Sequence, residues 1–223
     1  MLRIYVGNEL LELTQDDLAN MYIDSGDEAK IYRYGDEVLK IHLVYPKKCV
    51  INEHDAERLS VINTKRILLP KRIIYSAEDQ SFLGYSLSFI DKEDKDTLPS
   101  IILDHFLSEL DIINSDVKNL SDKGVQIEDL HMGNVLYNGK FFIGDPGSFC
   151  FKTGISVKEM YYNNLHKLNK FVIWKFFKMI PMTNTELFLL VDRFDEYEYI
   201  GDQIRDDVRP DESIRQYVKR IIQ

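Results

Sequence analysis

Two carboxylates and a carboxamide lie close together in the segment IEDLHMGNVLYNGKFFIGDPG, at residues 127 to 147. An Asn-Gly pair between two short apolar runs predicts a type I′ turn, and so a β-hairpin. In this hairpin Asn134 precedes the first strand and Asp145 follows the second, so both side chains emerge at one end, with Asp129 just upstream. Such oxygen ligands suit Mg²⁺, which takes few protein ligands and keeps water and phosphate oxygens. The segment therefore predicts a magnesium site beside an acid that can act on a hydroxyl.

The same segment resembles the catalytic and metal loops of the protein kinase-like phosphotransferases. DLHMGNVL is similar to the D-L-H-x-x-N form of aminoglycoside and choline phosphotransferases and of small bacterial kinase-like proteins, and IGDPG stands where the family has D-F-G or a variant. The resemblance covers roughly residues 20 to 150 in order. It implies that Asp129 orients the acceptor hydroxyl and takes its proton, that Asn134 is a Mg²⁺ ligand, and that Asp145 is the main Mg²⁺ ligand under the phosphates.

The elements before this segment are predicted to form a sheet with one helix. Alternating apolar residues from 21 to 41 indicate a three-strand meander with turns at SGDE and YGDE. INEHDAERLSVIN, residues 51 to 63, has apolar residues at helical spacing and predicts a short amphipathic helix. RILLPKRIIYS and SFLGYSLSFI then complete a five-strand sheet.

Lys40 stands in EVLKIH on the third strand of the meander, where the family has the lysine of V-A-I-K. The resemblance implies that it holds the α- and β-phosphates of ATP. Its anionic partner is expected on the following helix. Glu53 is the preferred partner because it continues the apolar face of that helix, and Glu57 is the rival.

Two further nucleotide contacts are implied by the resemblance. The phosphate-covering loop is SGDEAKIY, in which backbone N–H groups around Ser25 and Gly26 are expected to reach a phosphate, although G-x-G-x-x-G is not met. SLSFID is expected to connect two lobes, with the backbone from Ser88 to Ile90 meeting the adenine edge.

The fold class is predicted as α+β: a two-lobed, protein kinase-like arrangement of a small antiparallel sheet with one helix and a compact, mostly helical lobe. The predicted domains are an N-terminal lobe at residues 1–90, a charged linker at 91–97 and a C-terminal lobe at 98–223. Everything after Phe151 has the apolar spacing of helices.

Composition narrows the class of protein. The 223 residues are 44% hydrophobic, enough to bury a core, and the formal charge of −9 disfavours a general nucleic-acid binder.

The longest apolar stretch, FVIWKFFKMI, is interrupted by lysines and has about half the roughly 20 residues of a membrane span. With no signal-peptide pattern, a cytoplasmic location is expected. Cys49 and Cys150 suit neither a disulfide framework nor a zinc site.

The sequence thus predicts a phosphotransferase that uses ATP and Mg²⁺ to phosphorylate a hydroxyl of a protein or small molecule. Two features depart from the family: Ile127-Glu128-Asp129 lacks the usual histidine, which affects loop support, and Pro146 replaces phenylalanine. The alternative is a pseudokinase that binds nucleotide without transfer. A third hypothesis, a metal-dependent hydrolase built on Asp129, His131 and Asp145, lacks a second histidine cluster.

Overall fold

The computed structural model describes residues 1–43, 51–91, 95–195 and 198–223. The predicted linker at 91–97 therefore lies partly, and Cys49 wholly, outside the described residues. The chain divides into two compact units. The first comprises Met1–Thr64, Leu68–Ile90 and Asp145–Cys150, and the second comprises Lys65–Ile67, Asp91–Gly144 and Phe151–Gln223.

The first unit is built on an antiparallel sheet. Its strands in the described residues are β1 (Leu2–Val6), β2 (Glu9–Leu13), β3 (Tyr22–Ser25), β4 (Ala29–Tyr34), β5 (Glu37–His42), β6 (Ile73–Ser76) and β7 (Phe82–Ser88). They are ordered β2-β1-β6-β7-β5-β4-β3. The predicted meander corresponds to β3, β4 and β5, and the two later strands to β6 and β7. The prediction of five strands omitted two, because the β1-β2 hairpin joins the sheet through pairing of β1 with β6.

Two helices accompany this sheet, α1 (Gln15–Met21) and α2 (Glu53–Ser60). Asn52 caps α2 by accepting a hydrogen bond from the Asp55 N–H, and the helix buries Ala56 and Leu59. The predicted amphipathic helix is therefore present, and it contacts β6 and β7. On the sheet, the apolar core of the first unit contains Ile4, Val6, Leu11, Leu13, Tyr32, Leu39 and Ile74.

Strand alternation decides which way Lys40 points. Leu39 belongs to the apolar core, so its neighbour Lys40 projects from the opposite face of the sheet. There Lys40 lies across from Tyr85 of β7 in the strand register. Lys40 is buried at this position, with only 5% of its surface exposed.

Gly84 permits the close approach of β7 to β5 at this lysine. A Cβ atom added at Gly84 would lie 2.0 Å from the Lys40 carbonyl oxygen, and φ there is +147°. We expect Gly84→Ala to lower the free energy of unfolding by about 2 kcal/mol, because one of the two backbones must move. Gly26→Ala is the matched control, since a Cβ at Gly26 meets nothing within 4 Å. Urea unfolding curves measure both variants, and equal stability of the two would contradict the steric account.

The second unit is mostly helical. Its helices in the described residues are α3 (Leu103–Asp122), α4 (Val157–Phe171), α5 (Asn184–Arg193), α6 (Ile200–Arg205) and α7 (Ile214–Ile221). The short strands are β8 (Val125–Gln126), β9 (Val135–Tyr137), β10 (Phe141–Ile143) and β11 (Cys150–Phe151), the last of which crosses from the first unit into the second. A π-helical turn at Val172–Phe176 continues α4. The α+β prediction, a sheet followed by a mostly helical part, is confirmed.

The predicted hairpin forms from β9 and β10, but its turn differs from the prediction. Tyr137 pairs with Phe141, so three residues rather than two close the loop. A type I′ turn requires a positive φ at both central residues. Gly139 has a φ of +79°, but the φ of Asn138 is not positive. The ring of Phe141 packs 5.6 Å from that of Phe106 on α3, which anchors the hairpin to the helices.

A short segment from the first half of the chain completes the second unit. The carboxylate of Asp116 on α3 accepts hydrogen bonds from the backbone N–H groups of Lys65, Arg66 and Ile67. Arg66 also forms an ion pair with the buried Glu109, whose carboxylate accepts the N–H of Phe141. These bonds tie the hairpin and the 65–67 segment to one helix. In the described ranges, none of the helices has the length and hydrophobicity that a membrane-spanning segment requires.

Candidate functional site

The candidate residues belong to both units: Lys40 and Asp145 to the first, and Asp129 and Asn134 to the second. Within the first unit, the Lys40 ammonium forms an ion pair with Asp145, a residue 105 positions later in the chain, and another with Glu28 at 3.2 Å. Burial alone would lower the pKa of Lys40, but Tyr85, Asp145 and Glu28 raise it above the ordinary value for lysine. The side chain is therefore both buried and charged.

Aromatic side chains of β5 and β7 lie beside Lys40. His42, two residues further along β5, packs edge-on against Phe82 and Tyr85. Burial and the nearby Lys40 ammonium lower the pKa of His42 to about 4, so the imidazole is neutral at physiological pH. His42 thus adds no positive charge beside Lys40.

Asp145 has an unusual backbone. Its φ of 57° and ψ of 69° place it in the left-handed region, and its carboxylate accepts the Gly147 N–H at 3.3 Å. Pro146 begins the single 3₁₀ turn that follows. A non-glycine residue in this region is uncommon, and such conformations cluster at functional sites. The turn directs the carboxylate at Lys40.

Lys40 does not pair with Glu53 as predicted. The carboxylate of Glu53 accepts the Tyr75 hydroxyl at 2.9 Å, and that of its rival Glu57 accepts the same hydroxyl at 3.3 Å. The reason is the way α2 packs: its contacts are with β6 and β7, so its glutamates face Tyr75 on β6. Glu28, in the loop between β3 and β4, takes the place at Lys40. Sequence reasoning missed Glu28, although it stands in the quoted loop SGDEAKIY.

The predicted phosphate loop uses two of its N–H groups internally. The Gly26 N–H donates to the Ala29 carbonyl at 3.0 Å, and the Ser25 N–H donates to the Asp24 carboxylate at 2.8 Å. Ser88 is the last residue of β7, where it pairs with Glu37, and the second segment of the first unit, Leu68–Ile90, ends at Ile90. Phosphate and adenine contacts at these residues stay predictions.

In the second unit, Asp129 also has a left-handed backbone, with φ of 55°. Among the described residues, the other non-glycine positions with positive φ are Gln80, Asp145 and Asp211. The carboxylate of Asp129 is about half exposed, at 49%. Asn134, at the end of a 3₁₀ turn, donates its side-chain N–H to the Asp129 carbonyl at 3.2 Å, which leaves Oδ1 of Asn134 as the amide's acceptor.

His131 supports the loop between these two residues. Its Nδ1 accepts the Gly133 N–H at 3.0 Å, so in the neutral ring the proton is on Nε2, which lies 3.7 Å from the Asp129 carboxylate. A Cβ at Gly133 would come within 2.5 Å of the imidazole, so a larger residue there would displace the ring. The described part of the chain has no group of three or more His, Cys, Asp or Glu side chains that could hold a metal ion. The hydrogen bond from the Gly133 N–H assigns His131 a loop-support role.

The strand before Asp129 is held by α4. The amide of Asn164, which is fully buried, accepts the Ile127 N–H and donates to the Val125 carbonyl, both at 2.9 Å. One turn further along α4, Lys167 donates to the Ile127 carbonyl at 3.0 Å and forms an ion pair with Glu128 at 2.6 Å. Sequence reasoning missed both residues. Their spacing of three on a helix was the available signal.

Comparison with known proteins gives structural neighbours only. No family model matches the chain, and no curated protein matches it. The crystal structure of the Mycobacterium tuberculosis PknI kinase domain is similar, with 10% sequence identity and a TM-score of 0.47. The match covers 90% of this chain and 92% of that domain. A cysteine-to-alanine mutant of that domain has the same identity and coverage, with a TM-score of 0.49.

Both neighbours are kinase domains. This is the class that the loops around Asp129 and Asp145 resemble. At these scores and this identity, the matches carry no argument about activity, nucleotide or substrate. Those questions depend on the residues of this chain.

Proposed function

We propose that the protein is a kinase-like phosphotransferase that transfers the γ-phosphate of ATP, with Mg²⁺, to a hydroxyl of a protein or small molecule. The observation that carries the proposal is the ion pair of Lys40 with Asp145. A buried lysine that remains charged is unfavourable for stability unless anionic groups surround it. Such a lysine beside a metal-loop aspartate is suited to bind phosphates.

The residue types suit a magnesium nucleotide. Asp145 of the first unit would supply a carboxylate and Asn134 of the second unit would supply an amide oxygen, both hard ligands of the type that Mg²⁺ takes in small numbers. When bound, Mg²⁺ would neutralise charge on the phosphate oxygens. Lys40 donates to the α- and β-phosphates, which orients the nucleotide.

Asp129 acts on the acceptor in this proposal. Its exposed carboxylate can accept a hydrogen bond from a hydroxyl, which orients the oxygen for attack, and can take the proton as the new bond forms. The left-handed backbone at Asp129 and the bond from Asn134 to its carbonyl support a fixed orientation. The chain then contributes mainly position and charge, which are the main requirements of phosphoryl transfer.

The deciding experiment is incubation with γ-labelled ATP and Mg²⁺, first alone and then with cell extract. Label in the protein itself, in another protein or in a small molecule establishes transfer and identifies the acceptor class. Hydrolysis to labelled phosphate alone, in every condition, would contradict the proposal. A variant with Asp129→Ala shows whether any label depends on this site.

A second candidate function is a pseudokinase that binds nucleotide and acts through its surface. It is favoured by the Ser25 and Gly26 N–H groups, which bond within their own turn, and by the Glu28 carboxylate at the lysine. Calorimetry that shows binding of Mg²⁺-ATP without turnover, over a broad screen of acceptors, would support this function instead.

Glu28 provides a test of which carboxylate controls Lys40. We expect Glu28→Gln to tighten Mg²⁺-ATP binding by about threefold, because an anion that competes with phosphate for the ammonium has been neutralised. Glu53→Gln is the matched control, and it should leave affinity unchanged because Glu53 bonds Tyr75. Titration calorimetry measures both. Weaker binding in Glu28→Gln would mean that Glu28 orients Lys40 instead of competing for it.

A further inference from the structure

We propose that Lys167 is a positioning residue for the Asp129 loop, replacing the support that a histidine gives in the family's usual triplet. The inference rests on the proposed function, since it assigns a role within the same reaction. The ammonium of Lys167 bonds two consecutive residues just before Asp129: the carbonyl of Ile127 at 3.0 Å and the carboxylate of Glu128 at 2.6 Å. It therefore restrains the backbone immediately ahead of the acid.

The position of Glu128 in the chain explains why a cation is needed there. The triplet Ile127-Glu128-Asp129 places two carboxylates side by side, and both are at least partly exposed. Two donors hold the Glu128 carboxylate: Gln126 Nε2 donates to Oε1 at 2.7 Å, and Lys167 binds Oε2. With Glu128 so engaged, Asp129 is left as the carboxylate directed to the acceptor.

Asn164 and Lys167 have different roles at this strand. Asn164 is fully buried and bonds Ile127, Val125 and Ser121, so its removal would leave unsatisfied buried groups and disturb the fold. The Lys167 side chain is 28% exposed and that of Glu128 is 37% exposed, and a partly solvated ion pair contributes only modestly to global stability. Replacement of Lys167 therefore changes the loop while leaving the fold intact.

The first test is kinetic and uses the full chain. Lys167→Met should lower kcat for transfer by about tenfold and leave the KM for ATP unchanged, because loop orientation is altered without a change at Lys40. Lys167→Arg should restore most of the rate, since a guanidinium can bind both the carbonyl and the carboxylate. Lys170→Met, an exposed lysine on the same helix, is the control and should behave as wild type.

The second test needs no activity, which separates this inference from the proposed function. Amide hydrogen exchange of the peptide covering residues 125–130 should be faster by about tenfold in Lys167→Met and normal in Lys170→Met and Lys167→Arg. Unchanged exchange in Lys167→Met would overturn the inference, whether or not the protein transfers phosphate. Faster exchange with no transfer in any variant would retain the positioning role and reject the kinase function.

Discussion

Asp129→Ala is expected to reduce phosphoryl transfer by on the order of a thousandfold, about 4 kcal/mol of transition-state stabilisation. The variant loses the group that orients the acceptor hydroxyl and takes its proton. Its affinity for Mg²⁺-ATP should stay close to that of the wild type, because Asp129 acts on the acceptor and not on the nucleotide. Transfer assays together with calorimetry measure the two effects separately.

Two variants make this result diagnostic. Asp211→Ala replaces another aspartate with a left-handed backbone, φ of 56°, that is outside both loops, so it controls for the strain that alanine adds at such a position. Lys40→Ala should show the opposite pattern, with Mg²⁺-ATP binding weakened by about tenfold. If Asp129→Ala retains turnover, or loses affinity as Lys40→Ala does, its role as the acceptor-side base is wrong.

Asp145→Asn is expected to lower transfer at least a hundredfold, about 3 kcal/mol, because the charge that holds Mg²⁺ under the phosphates is removed. The Mg²⁺ that accompanies ATP would lose its main protein ligand, so Mg²⁺-ATP affinity should fall as well. Because Glu28 still pairs with the buried Lys40 ammonium, the melting temperature should change little. Dependence of the rate on Mg²⁺ concentration is the measurement of choice.

Asp211→Asn is the matched control for this variant, as it makes the same chemical change at another left-handed aspartate. Wild-type turnover of Asp145→Asn at saturating Mg²⁺ would exclude Asp145 as the metal ligand. A large fall in melting temperature would instead assign Asp145 a structural role as the partner of Lys40.

The sequence by itself determined the elements whose signals are local. Alternation and turn residues predicted β3, β4 and β5, and an apolar stripe predicted α2, because side-chain period and turn chemistry act within a few residues. The same alternation placed Lys40 on a strand, and the loop residues placed Asp129 and Asp145 at the two ends of the hairpin segment. The roles of these residues come from the resemblance and stay predictions.

The tertiary structure alone decided the features that depend on distant pairing. The hairpin of β1 and β2 joins the sheet because Ile4 pairs with Ser76, and no local pattern encodes that register. Likewise, helical spacing shows which face of α2 is apolar but not which strands that face contacts. The sequence therefore pairs Glu53 with Lys40, whereas Glu53 bonds Tyr75. Glu28 reaches Lys40 only because the turn between β3 and β4 brings it there.

The contacts that support the Asp129 loop are the ones that the sequence predicts least. Asn164 and Lys167 follow Ile127 by 37 and 40 positions, and each bonds its backbone through a single polar atom. A hydrogen bond of this kind depends on distances of a few tenths of an ångström, which are set by how α4 packs on α3. Residue type and spacing give a helix its faces, but only the packed structure decides which backbone groups those faces meet.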